Sequence, residues 1–128
     1  MAWEAAHLPL YSLWVKAKPA ALAYTVLHCV LGDVLIAASA LAIAIATIGR
    51  GAWTSAAGSY RAVACLAVAF GLGYTVFSEW LNVTVRQGWA YSPWMPLVPP
   101  FGTGLSPLLQ WVVVPLLAFW FAGRRPAG

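Results

Sequence analysis

Three apolar stretches, 19–48, 61–85 and 105–122, set the pattern of this chain, each long enough for a helix to cross a bilayer core. The first opens with Pro19, which suits a helix's first turn, and closes at Gly49-Arg50. At about 1.5 Å per residue it reaches about 45 Å, more than the ~30 Å hydrocarbon core, so it must tilt or protrude. Its length and the presence of His28 and Asp33 within it argue against a cleaved signal peptide. A short Gly/Ser/Ala linker, Gly51 to Tyr60 with Trp53, leads to the second stretch, and helices joined so tightly are antiparallel neighbours. The third carries Pro107 in its first turn and Pro115 in its middle; Pro115 predicts a kink and a freed Trp111 carbonyl.

Two segments break this pattern. Residues 1–18 mix Trp3, His7, Tyr11 and Trp14 with Glu4, Lys16 and Lys18, and their apolar part is too short to span, which predicts an interfacial segment or collar. Residues 86–104 are apolar and aromatic, yet Pro93, Pro96, Pro99 and Pro100 exclude a regular helix. An interfacial loop or a re-entrant cap is expected there, since irregular backbone at depth must be shielded from lipid. The expected fold is therefore an all-α integral membrane protein. It is a single membrane domain, 1–128, built as a three-helix transmembrane bundle with an N-terminal interfacial segment and a Pro/Trp-rich loop before the last helix.

Composition strengthens that expectation: 62% of residues are hydrophobic and 8% charged, against roughly 25% charged in soluble domains. The net charge of +4 does not point to nucleic acid, because Lys16, Lys18, Arg50, Arg61, Arg86, Arg124 and Arg125 stand at the edges of apolar runs, where cations meet lipid phosphates. Three spans put the four arginines of the first loop and C-terminus on one side, opposite Lys16, Lys18 and Arg86; the balance favours the four-arginine side as cytoplasmic in a multi-pass protein of the cell membrane. Cys29 and Cys65 fall at different depths and are not expected to pair. Asn82-Val83-Thr84 matches a glycosylation acceptor but lies within a predicted helix.

The chemistry concentrates in a few polar residues inside the spans. Asp33 and Glu79 are two of the chain's three acidic residues, and an ionisable group at bilayer depth costs ~2.5 to 3.5 kcal/mol even on insertion scales. On the first helix Thr25, Cys29 and Gly32 form a stripe of small residues flanked by His28 and Asp33, about 140° apart. On the second, Thr75, Ser78, Glu79, Asn82 and Arg86 make one polar face, continued by Ala67 and Gly71, whose small side chains admit a neighbouring backbone. Antiparallel register levels residues of the first two helices whose numbers total about 110, placing Glu79 between His28 and Asp33; a second connection counted from Val85 to Gly104 places Gln110 at the depth of Glu79. One layer is expected to hold His28, Asp33, Glu79, Asn82 and Gln110, with Trp80 and Trp111 beside it.

Three functions fit such a layer. It is interhelical glue in a scaffold or non-catalytic membrane subunit, worth about 0.6 kcal/mol per polar contact. Alternatively it is a site for a lipid-soluble molecule such as a quinone, isoprenoid or lipid, with Glu79, Asp33 and His28 exchanging protons and Asn82, Gln110, Trp80 and Trp111 binding the ligand. Metal or proton handling is the third; His28, Asp33, Glu79 and Cys29 are admissible ligands, but their spacing matches no metal motif, so no metal site is expected. No cofactor can be named, since the chain has no Walker loop, dinucleotide fingerprint, nucleophile elbow or Cys-x-x-Cys. Expected partners are the lipid bilayer and further copies of the chain or a larger membrane complex, because three spans bury little surface.

Membranes carrying the chain should retain it through alkaline carbonate extraction, and cysteines introduced at Ser55 and Gln87 should label from opposite sides of the bilayer. Release at high pH, or labelling from one side, would contradict three spans.

Overall fold

The computed structural model describes residues 2–49 and 57–124. The linker residues 51–56 with Trp53, and the cations Arg50 and Arg125, lie outside the described residues. Three long helices carry the fold: α3 (Pro19–Ile48), α4 (Ala57–Trp80, prolonged by a π-helical turn Leu81–Val85) and α5 (Leu105–Gly123). Ahead of them stand two short helices, α1 (Ala2–His7) and α2 (Leu13–Lys16), separated by a 3-10 turn over Leu8–Leu10. Pro19–Ile48, Ser59–Val85 and Leu105–Gly123 are each long and apolar enough to cross a membrane.

Local chemistry explains the boundaries. Lys18 is extended and Pro19 supplies a preset φ at the first helical position of α3. Gly49, at φ 109°, takes a left-handed conformation that residues with a Cβ rarely adopt, and its N–H closes the helix on the Ile45 carbonyl at 2.8 Å. At the far end of α4 the ladder widens by one residue, with Arg86 N–H donating to the Leu81 carbonyl at 2.8 Å. Pro115 leaves α5 unbroken but offers no N–H to the Trp111 carbonyl.

Helix α4 is the middle of the bundle, packed against both α3 and α5. Ala44 of α3 meets Val63 and Ala67 of α4 in a core closed by Leu41, Ile45, Leu66 and Phe119, the register expected for the first two helices. Toward α5, Gly71 receives the Trp111 ring so closely that a methyl group there would stand 2.6 Å from Trp111 Cζ3. Tyr60 donates to the Phe119 carbonyl at 2.6 Å, tying the opposite ends of α4 and α5. These pairings set α5 about two helical turns deeper along α4 than a level connection from Val85 to Gly104 predicts. The cause is the loop, which descends beside α4 before α5 begins: its hairpin, β1 (Leu97–Val98) with β2 (Thr103–Gly104), rests β2 against α4. Gln110 is accordingly not level with Glu79; Gly104 is the part of that connection that comes near it.

The N-terminal segment and the loop form one cap. Ser12 N–H donates to the Ala90 carbonyl and Ser92 N–H to the Leu10 carbonyl, both at 2.9 Å, around a Tyr11–Tyr91 bridge. Trp14, Trp94 and Phe101 stay exposed on this end. Along the bundle the outward faces are apolar, and α3 buries only Ala40 and Ala44, a distribution suited to lipid contact.

Close approach at Gly71 makes it less replaceable than Gly73, two residues on. Gly71→Leu should displace Trp111 and lower unfolding stability in mild detergent by about 1–3 kcal/mol. Gly73→Leu, with nothing within 4 Å of the added carbon, should stay within about 0.5 kcal/mol.

Candidate functional site

Four elements converge where the cap enters the bundle. Glu4 and His7 share one face of α1, three residues apart, and both are buried. His7 Nε2 donates to Glu4 Oε2 at 3.2 Å, which leaves Nδ1 to meet the Ser106 hydroxyl at 3.1 Å on the first turn of α5. One turn further along α5, Gln110 Nε2 donates at 2.6 Å to Glu4 Oε1 and at 2.6 Å to Asp33 Oδ2 of α3. Both partners are acceptors, so the amide nitrogen must face them, and both of its protons are committed. Gln110 thus bridges the two carboxyls.

Glu4 belongs to a short helix that burial alone would drive toward the neutral acid. The hydrogen bond and charge of His7, with the contacts from Asp33 and Gln110, outweigh that effect and hold Glu4 below the ordinary glutamate value. It is therefore a carboxylate at neutral pH.

Glu79 anchors a second group. It is buried on α4 and its Oε2 accepts hydrogen bonds from the phenols of Tyr91 and, at 3.4 Å, Tyr11. Tyr91 also accepts the Gly104 N–H at 2.9 Å, so one phenol links α4, the loop and the start of α5. Burial pushes both phenols well above the usual tyrosine value; the Glu79 carboxylate adds to this through its charge at Tyr11 and chiefly through its hydrogen bond at Tyr91. Both remain neutral donors. The His7 and Tyr11 rings meet edge-on at 5.4 Å, so the two groups abut.

Of the residues singled out from sequence, Asp33 and Gln110 touch directly, and Glu79 stands in the adjoining group. Trp111 is buried beside them against Gly71. His28 is exposed and stacked on Tyr24 at 5.9 Å, on the outer flank of α3. Asn82 spends its amide on its own helix, donating to the Ser78 carbonyl at 2.9 Å. Trp80 is exposed beside Phe77. Sequence reasoning missed Glu4, His7, Tyr11, Tyr91 and Ser106; the available signal was the Glu4–His7 spacing, which puts an acid and a base on one helical face. The segment read as a surface collar reaches into the bundle through that face.

An apolar groove of about 380 Å³ runs between α3 and α5, floored by Ala67 and Trp111 and walled by Ala37, Leu41 and Phe119. Asp33 and Gln110 close one end of it. Among the described residues, no three His, Cys, Asp or Glu side chains form a group suited to a metal ion.

Tyr91→Phe should leave the Gly104 N–H without its acceptor and Glu79 with Tyr11 alone. A loss of about 1–3 kcal/mol in unfolding stability is expected, whereas Tyr74→Phe, at an exposed position, should be neutral. No family model, no curated protein and no solved structure matches this chain.

Proposed function

We propose that the chain is a multi-pass protein of the cell membrane that binds a lipid-soluble molecule, its apolar body in the α3–α5 groove and its polar group against Asp33 and Gln110. The observation that carries this reading is the junction itself: an apolar groove of a size usual for ligand sites ends on two convergent polar side chains. Lipid-facing flanks, with Val34 and Val114 exposed on the groove's two helices, give such a molecule a route in from the bilayer. Exposed Trp14, Trp94 and Phe101 on the cap are placed as interfacial aromatics.

Proton exchange, if the bound molecule undergoes it, falls to Asp33, backed by Glu4 and His7, in place of the His28 pairing expected from sequence. Glu79 has a different part in this reading. Its acceptor capacity is directed to Tyr91 and Tyr11, and Glu79 is not among the groove's lining residues. For Glu79 the scaffold reading is favoured: it fastens the cap to α4.

Native mass spectrometry of the chain purified in mild detergent separates the two carboxylates. A co-purifying lipophile should survive Glu79→Gln, which keeps an acceptor for both phenols. It should fall at least about tenfold, near 1.4 kcal/mol of affinity, in Asp33→Leu and in Ala118→Trp, which fills the groove. Retention in Ala118→Trp would refute groove binding.

A further inference from the structure

Among the described residues that line the groove Gln110 carries the one side-chain amide, and its two N–H groups are taken by Glu4 and Asp33. What it can offer a ligand is its carbonyl oxygen. Asp33, whose Oδ2 accepts from Gln110, offers its second carboxylate oxygen. Among the described lining residues the remaining polar side-chain group is the Trp111 indole N–H, a donor. Among the described residues that line it there is no lysine or arginine.

A head group bearing negative charge would meet Asp33 with Glu4 behind it and no cation to pair with, an arrangement that costs several kcal/mol at low dielectric. A carbonyl head would find few donors. A head that brings its own protons and a positive charge completes every acceptor and neutralises a carboxylate excess that His7 can offset only in part. We infer that the ligand of the α3–α5 groove is a single-chain amphiphile with a protonated amine head, seated on Asp33 and the Gln110 carbonyl. This rests on the groove-binding reading and names its ligand class.

The test uses the full chain in nonionic detergent at neutral pH with three probes of equal chain length: dodecylamine, dodecanol and laurate, with binding read from the shift in unfolding temperature across a titration. Dodecylamine should bind at least about tenfold more tightly than laurate and more tightly than dodecanol. Its binding should be lost in Ala118→Trp, and its advantage over dodecanol should shrink to about twofold in Asp33→Asn. The head-group comparison is made on the unaltered chain, so it stands even where a variant fails to fold. Laurate or dodecanol binding as tightly as dodecylamine would overturn the amine assignment while leaving groove binding intact. If no probe shifts the unaltered chain, or Ala118→Trp responds as it does, the groove reading falls and the assignment with it.

Discussion

A carboxylate placed among apolar helices must find hydrogen-bond donors within its own chain, because removing a partner from a buried charge costs about 3–5 kcal/mol. All three acidic residues face that demand here, and among the described residues no lysine or arginine pairs with them: Lys16, Lys18, Arg61, Arg86 and Arg124 stand toward the ends of the long helices. The donors are neutral or weakly basic groups instead, and most come from outside the long helices: His7 and Tyr11 from the N-terminal segment, Tyr91 from the loop. Only Gln110 lies well within a long helix, and it serves two carboxylates at once. The need to solvate acids is thus what draws the cap into the bundle.

This makes cap and bundle mutually dependent. Tyr91 is useful to Glu79 only while the loop holds it, and the loop is held partly by the Gly104 N–H that Tyr91 accepts and partly by the backbone bonds with Leu10 and Ala90. The segment that makes those bonds follows directly on α1, which is tied to α5 through His7–Ser106 and Glu4–Gln110. Networks closed in this way rigidify when complete and lose more than one contact's worth when opened. The apolar side is simpler: Ala44, Val63 and Ala67 pack because they are small, and the Trp111 ring fits because Gly71 has no side chain.

Helix positions and the pairing of α3 with α4 were readable from sequence because both follow from apolar length and a short linker. The pairing of α4 with α5 was not. Counting from Val85 to Gly104 assumed that a loop leaves and re-enters at one level, but the hairpin and the Tyr91–Gly104 bond carry the chain down along α4 first. His28 was misplaced for a reason the sequence already held: it lies about 140° around α3 from Asp33, so burying one turns the other outward. Stacking on Tyr24, four residues away, is the local consequence. Glu4 and His7 were overlooked since a short segment of mixed polarity reads as surface until a buried acid is found to require it. Membrane-depth reasoning located the need at Asp33, but not its supplier.

Two acids of similar chemistry are therefore left in different conditions by their neighbours. Glu79 receives phenols from two sides on one oxygen, both from the cap, and its surroundings are protein. Asp33 receives one amide proton and faces a groove whose remaining walls are hydrocarbon. Glu79 contributes by holding the cap, whereas Asp33 lines the groove, where both Gln110 protons are spent and no lysine or arginine stands among the described lining residues. In the proposed reading an amphiphile sets its polar head against Asp33 and Gln110 and its chain along the apolar walls, with Asp33 as the acid that meets the ligand and Glu79 as the acid that holds the cap.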